Sequence, residues 1–396
     1  MSLLVQKFGG TSVATLERIE RAAMRVKHEI EQGNSVVVVV SAMGEETDTL
    51  LDLANHFNLP EYTREHDCLL STGEQKSMAL FALALMRLGC KARSLNAAQA
   101  GIHASGPYGY ARIVDIDIHK ITPFLMQGEV VVIAGFQGMV GENIATLGRG
   151  GSDLSAVALA AALKADECQI FTDVDGVRFA DPRLVPLAHK LDTINIQEML
   201  ELARLGAKVL HDRAVLLAKK MNVRLRVRSS FDRGEGTLVA QAGVDQPSLV
   251  GITSQEAQVL IRLSLPQLDV AIIQHYLASI HVGMSSMQVI EDGLVELLVI
   301  MPQEVWFHAK TAVAALLDSI HHQLIVCESL VQISLIGRGV HLEASIREKF
   351  YQVLGEYGCN ILYSTGSEVA LSVLTEVVHL PELMERLYQI LHSSSC

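Results

Sequence analysis

The chain has 396 residues, room for two or three domains at roughly 150 residues each. Hydrophobic residues make up 49% and charged residues 19%, enough to build sizeable cores and unlike a disordered chain. A net charge of −12 argues against general nucleic-acid binding, and no apolar run is long enough to span a membrane.

In chain order, Leu3–Lys7 predicts a short strand, Gly9-Gly10-Thr11 a turn, and 14–32 an amphipathic helix closed by Gly33-Asn34. The β-branched run 35–41 has the character of a strand buried on both faces. Helical patterns follow at 47–57 and 66–88, then a buried strand at 129–134. An Ala-rich helix opens at Gly151-Ser152-Asp153 and runs to Leu163, and a strand covers 169–172. Helices at 197–204 and 207–221 and a strand at 223–228 complete the series. This alternation predicts a three-layer α/β fold with a mainly parallel central sheet over 1–240.

The remainder changes character. Residues 241–396 hold 6 Lys+Arg and 16 Asp+Glu, net −10, while residues 1–240 are close to neutral at −2. An anionic substrate such as a nucleotide is therefore expected on the first part. A boundary is expected within 235–250, around Arg233-Gly234-Glu235-Gly236 and Gln246-Pro247. Strands and helices at 259–263, 267–278, 294–300 and 307–317 are followed by the same order at 331–335, 344–354, 360–364, 370–374 and 382–391. The spacing fits two small α+β units of the βαββαβ type, over 250–328 and 329–396. The N-terminus shows no basic-then-apolar secretory pattern. Six scattered cysteines without a C-x-x-C suit free thiols in a reducing, cytoplasmic setting rather than disulfides or a zinc site.

Glycine-rich strand-to-helix turns are the strongest chemical signals. Lys7-Phe8-Gly9-Gly10-Thr11-Ser12 can bring backbone N–H groups to a phosphate, with Lys7 reaching a transferring phosphoryl group; the same residues also suit a plain tight turn. Leu147-Gly148-Arg149-Gly150-Gly151-Ser152-Asp153 can face an anion before a helix. There Arg149 can clamp a carboxylate, and Asp153 either works in the site or satisfies the helix dipole. Thr172-Asp173-Val174-Asp175-Gly176 ends a strand where ligands bind in parallel sheets, or is an ordinary Asp-Gly turn. Ser41–Asp48 offers hydroxyls for a polar substrate or for helix capping. Leu70–Gln75 reads as a glycine-kinked turn whose Glu74 pairs with a substrate ammonium or is merely an exposed helix residue. His321-His322 reads as a solvated helix end, and Trp306 as core or interface.

Taken in order, Lys7–Ser12, Ser41–Asp48, Leu70–Gln75, Ala134–Gly138, Thr146–Asp153, Thr172–Val177, Ala180–Pro186, Gly206–Leu210 and Arg228–Phe231 closely resemble the aspartate kinases of the amino acid kinase family. The resemblance runs over nearly all of 3–240. It implies the amino acid kinase fold followed by two ACT domains. It also implies Mg-ATP-dependent phosphorylation of the L-aspartate side-chain carboxylate to 4-phospho-L-aspartate, towards lysine, threonine, methionine and isoleucine. It places Lys7 and Asp153 at the reacting centre. Ser41, Thr47, Glu74, Arg149, Gly151 and Ser152 fall around the amino-acid substrate. Lys7, Phe8, Gly9, Gly10, Thr172, Asp173, Arg178, Phe179, Asp181, Arg183 and Lys208 fall around ATP. A homodimer through the ACT domains and an amino-acid effector, lysine or threonine, are also implied, with no nucleic-acid or membrane partner.

The chain departs from the family pattern in places. Leu154-Ser155 follows Asp153 where Thr-Thr is usual, and Arg178-Phe179 stands where Tyr-Thr is usual. Gln267 replaces the glycine of a Pro-Gly turn in the first ACT unit, and Leu342-Glu343 lacks one in the second, which predicts weakened or altered feedback. Two other readings remain open: a kinase of another carboxylate such as glutamate, and a non-catalytic amino-acid sensor.

Overall fold

The structure is a computed structural model that describes all residues except 1, 60–61, 242–248, 281, 291–292, 319 and 393–396. Gln246-Pro247, at the expected boundary, therefore lies outside the described residues. The described parts of Met1–Phe179 and His189–Asp245 form one compact unit; those of Ala180–Ala188 and Gln246–Cys396 form a second.

The first unit contains, in chain order, β1 (Leu3–Phe8), α1 (Leu16–Glu31), β2 (Ser35–Val40), α2 (Glu46–Asn55), α3 (Arg64–Arg87), β3 (Ala92–Leu95), α4 (Ala97–Ala100), β4 (Ile102–Ser105), β5 (Arg112–Ile116), α5 (Thr122–Met126), β6 (Val130–Ala134), β7 (Gln137–Val140) and β8 (Asn143–Thr146). It continues with α6 (Gly151–Leu163), β9 (Glu167–Thr172), β10 (Thr193–Asn195), α7 (Ile196–Arg204), α8 (Asp212–Met221), β11 (Leu225–Ser229) and β12 (Thr237–Ala240). The central sheet has the order β10-β12-β11-β9-β1-β2-β6-β3. Every pairing in it is parallel except that of β11 with β12.

A central parallel strand is covered on both faces, which is why Val36–Val40 can be continuously β-branched and buried. Alternate residues serve opposite layers. Phe8, Val36, Val38, Val40, Val130 and Val132 pack with the buried stripe Ile19, Ala22, Ala23 and Val26 of α1 and with Met78, Phe81 and Leu85 of α3. Phe8 stacks on Phe171 at 4.8 Å, and its ring lies 5.3 Å from that of Phe81. The opposite face of β1 and β2 meets α6, whose run of small residues lets it sit close to the sheet.

Two expectations need correcting, and one sheet was not expected. The residues 70–75 are not a turn: α3 is continuous from Arg64 to Arg87, and Gly73 sits within it. A Cβ on Gly73 would lie 2.8 Å from that of Ala42, so this glycine serves a close helix–loop approach, not a kink. The last helix of the series begins at Asp212, capped by His211, so Lys208 lies in the preceding loop. Finally, a separate four-stranded sheet, β5-β4-β7-β8, was not anticipated. Its strands are four or five residues long, too short for a clear alternation.

The second unit adds β13 (Gly251–Pro266), α9 (Val270–Ser279), β14 (Ser286–Val289), β15 (Leu294–Pro302), α10 (Gln303–Leu317), β16 (Gln323–Ile336), α11 (Ala344–Glu356), β17 (Ile361–Ser367), β18 (Ala370–Thr375) and α12 (Leu380–His392). One antiparallel sheet, β14-β15-β13-β16-β18-β17, serves both ACT-like halves. Strands β13 and β16 are long enough to belong to both. Gln258–Ser264 pairs with Gln323–Leu330 in the first half, while Gly251–Gln255 pairs with Gln332–Ile336 in the second. The two halves are thus nested: the outer half takes one edge of its sheet from the strand that precedes the inner half. Trp306 is buried and donates from Nε1 to Glu328 at 3.1 Å, while His321 and His322 are exposed after α10.

Candidate active site

Parallel register brings the carboxyl ends of β1, β2 and β9 side by side, since Phe8 pairs with both Val40 and Phe171. The loops that follow are then laced together. The Gly9 amide donates to the Phe171 carbonyl at 3.1 Å, Ser41 to Phe8 at 3.1 Å, Gly44 to Gly10 at 3.0 Å, and Gly135 to Val40 at 3.0 Å. Ser230 Oγ donates to Ser12 Oγ at 2.6 Å, and the Ser230 amide to the Thr172 carbonyl at 2.8 Å. This edge is where open α/β sheets bind ligands.

Lys7, the penultimate residue of β1, has its ammonium 2.6 Å from Asp153 Oδ1, and both side chains are only about a tenth exposed. Asp153 is the third residue of α6, after Gly151 and Ser152, where a carboxylate also meets the positive end of the helix. Gly150 caps that helix in the left-handed region at φ 72°, where a Cβ would also run into the His211 ring. Of the first amides of α6, that of Gly151 donates to the Gly148 carbonyl at 2.9 Å, while those of Ser152 and Asp153 have no carbonyl behind them within the helix and can face an anion. The Gly10–Val13 turn is built similarly. Gly9, however, spends its amide on Phe171.

Glu74 is 3% exposed within α3. Its Oε1 accepts the Ala42 amide at 3.0 Å, whereas the buried Oε2 has no partner among the described residues. Burial pushes its carboxyl up to about 8, only partly offset by the Ala42 N–H. Such a group keeps its proton at neutral pH unless a cation meets Oε2. Ser77 of the same helix donates to the Ser41 carbonyl at 2.6 Å and so fixes the end of β2. Ser41 and Thr47 are half-buried on the loop and at the start of α2. Arg149 is exposed between Gly148 and Gly150, and no ion pair engages it among the described residues.

The structure therefore brings together the Lys7, Gly10, Ser41, Glu74 and 151–153 positions, with Thr172 on the neighbouring strand. Other expected residues are placed differently. The Phe8 and Phe179 rings are buried in packing, the latter against His189, so neither presents its side chain to a ligand. Arg178 folds back on Asp175, with contacts of 2.8 and 3.1 Å. Thr172 Oγ1 donates to the exposed Asp173 at 3.1 Å. Asp181 and Arg183 pair with each other in the stretch that belongs to the second unit. Lys208 is exposed.

Two further residues shape the site. Phe136 follows Gly135 with a positive φ of 68°, a strained conformation for an aromatic residue. It is held there by its amide on Ser155 Oγ at 3.1 Å and by the Leu147 amide on its carbonyl at 2.9 Å. Nothing in a single sequence marks this strain. Leu154, where a hydroxyl is usual, packs instead against the small apolar cluster of Ala104, Ala111, Ala145 and Leu147.

The model of the amino acid kinase family matches residues 2–229. The chain is 42% identical to the aspartokinase of Pseudomonas aeruginosa over 391 residues, covering 96% of this chain and 95% of that protein. It is 41% identical to the aspartokinase of Geobacillus stearothermophilus over 403 residues, covering 98% and 97%. Among solved structures it is similar to E. coli aspartokinase III in complex with aspartate and ADP, with a TM-score of 0.81 at 25% identity, covering 98% of this chain and 100% of that one. With this agreement along the whole length and the lysine–aspartate pair at the sheet edge, the chain belongs to the amino acid kinase family and, within it, to the aspartokinases.

Proposed function

We propose that these residues carry out the aspartokinase reaction in assigned roles. The γ-phosphoryl group of ATP passes to the side-chain carboxylate of L-aspartate, giving 4-phospho-L-aspartate. A carboxylate of ordinary pKa, about 3.9, is already ionised and needs no general base. The chain's task is to hold two anions in line and to offset the charge on the group in transit. Lys7 supplies that charge, and Asp153, 2.6 Å away, orients the ammonium rather than taking a proton. The amide of Gly10 faces the phosphates, and those at the α6 N-terminus face the amino-acid substrate. Glu74 holds the substrate ammonium and Arg149 its α-carboxylate, with Ser41, Thr47, Gly151 and Ser152 around them.

The observation that carries this reading is the Lys7–Asp153 pair on the same loop-laced sheet edge as a buried, half-satisfied Glu74. A Glu74–ammonium contact favours a free amino acid over an N-acetylated one. Thr172 and Asp173 stand where the nucleotide is expected. Mg²⁺ enters with ATP, held by phosphate oxygens and one or two protein oxygens rather than by a protein cage. Dimerisation through the ACT-like unit and a cytoplasmic location complete the reading. No helix among the described residues is long and apolar enough to cross a membrane.

Structures of E. coli aspartokinase III include a complex with lysine and aspartate. In this chain Gln267 occupies a 3-10 turn ahead of α9, which supports altered effector binding. Calorimetric titration is expected to show no micromolar binding of lysine or threonine, and such binding would overturn that part.

Trapping of the acyl phosphate with hydroxylamine tests the reaction. Mg-ATP with L-aspartate is expected to give hydroxamate; L-glutamate and N-acetylglutamate are not. Hydroxamate from glutamate alone would overturn the substrate assignment, and none from any acceptor would favour a non-catalytic sensor.

A further inference from the structure

Helix α3 carries a second buried carboxylate that the reaction as described leaves unused. Asp67 is fully buried, seven residues before Glu74 and so on the same face of the helix. Its two oxygens accept the Gly109 amide at 3.1 and 2.9 Å, the Thr146 amide at 2.8 Å, the Thr146 hydroxyl at 2.5 Å and the Tyr62 hydroxyl at 2.9 Å. Thr146 ends β8, and three residues further on is Arg149. The loop between them is held from the far side too. Arg213 of α8 donates to the Leu147 carbonyl at 2.7 Å and lies 4.4 Å above the Tyr110 ring.

We propose that Asp67 is a positioning residue that fixes the Arg149 loop against Glu74, and so sets the grip on the amino-acid end of the substrate. The proposal rests on the roles of Glu74 and Arg149 given above. One rigid helix then carries both the group for the substrate ammonium and the tether of the group for its carboxylate. A glycine-flanked loop is soft by itself, with Gly148 and Gly150 both at positive φ. Four donors converging on one carboxylate, two of them from the residue that opens the loop, remove that softness. The nucleotide side of the site is built on β1 and β9 and does not depend on this tether.

The test compares Asp67→Asn, Thr146→Val and Arg149→Ala, with the double variant D67N/R149A, in steady-state kinetics on folded, full-length protein. D67N turns one acceptor into a donor that faces donors. Misplacement on the scale of an ångström costs up to about a hundredfold, so the aspartate KM is expected to rise on the order of tenfold or more. The ATP KM should stay within about twofold, because the tether does not reach that side. T146V keeps the backbone bond and should show a smaller shift of the same kind, and it carries the test if D67N does not fold. In the double variant the aspartate KM should match that of R149A alone. Additive effects, or equal changes in the aspartate and ATP KM, would make Asp67 merely structural and overturn the proposal. An R149A variant with unchanged aspartate KM would instead overturn the Arg149 assignment beneath it.

Discussion

Replacing Glu74 by Gln should separate substrate binding from stability, and move the two in opposite directions. In the free protein the carboxyl titrates near 8, against 4.5 for an unburied group, because burial penalises the charge. Between these values the native state holds a proton that the unfolded chain has released. Stability therefore falls as pH rises through this window, and the loss is complete above about 8. Three and a half units at about 1.36 kcal/mol each set an upper value on the order of 5 kcal/mol. Glu74→Gln keeps an oxygen for the Ala42 amide and has no charge to bury. Its melting temperature should equal or trail that of wild type near pH 5.5 and exceed it near pH 8.5.

Substrate reverses the ordering. An ammonium beside Oε2 gives the ionised form its missing partner, so aspartate binds the state that is scarce at low pH. Below the pKa the ionised fraction grows roughly tenfold per unit, and the apparent aspartate affinity should follow it from pH 6 to 8. Thermal melts of both proteins across pH 5.5–8.5, with and without L-aspartate, read both effects. Parallel melting curves for wild type and Glu74→Gln, with an aspartate shift independent of pH, would refute the reasoning.

Lys7→Ala should lower kcat on the order of 10²–10³, the scale for one preorganised charge on a transferring group, and turnover within threefold of wild type would reject that role. Arg149→Ala should raise the aspartate KM while leaving the ATP KM near its wild-type value, as measured with each substrate varied in turn. Phe8→Ala removes a ring stacked on Phe171 and packed at a tilt against Phe81, and should cost about 3–5 kcal/mol in denaturant unfolding. Because that ring faces the core, the folded variant should keep its ATP KM, and a selective rise in it would show that Phe8 touches the nucleotide.

The middle of the parallel sheet was legible because its strands are five or six residues long, rich in β-branched residues and separated by helical periods: 35–41 against Ser35–Val40, with Gly151–Leu163 matching to the residue, whereas β3, β10 and β12, of three or four residues, were not expected. The Lys7–Asp153 contact was legible for a related reason. Glycines and charged residues at strand-to-helix turns mark places where the backbone must come close to a ligand, and Lys7 and Asp153 both sit there. What escaped is set by long-range geometry. Glu74 read as part of a turn because Gly73 is a poor helix former, yet that glycine is required by Ala42, more than thirty positions away in the chain. Asp67 carries no local signal at all; its burial stands out only when Tyr62, Gly109 and Thr146 converge on it.

The nested second unit shows the same limit on a larger scale. A one-dimensional reading sees two successive βαββαβ periods, because strands and helices alternate in the same order twice. Pairing decides otherwise. Where the register of β13 and β16 shifts from one half to the other, Ala257 and Ser329 both take positive φ, at 52° and 59°. Neither is a glycine, so these are strained positions held by the ladder on either side. Two successive bulges, the first on β13 and the second on β16, offset each other in register and leave one hydrogen-bonded sheet. The halves are thereby joined through the backbone hydrogen bonds of one continuous sheet.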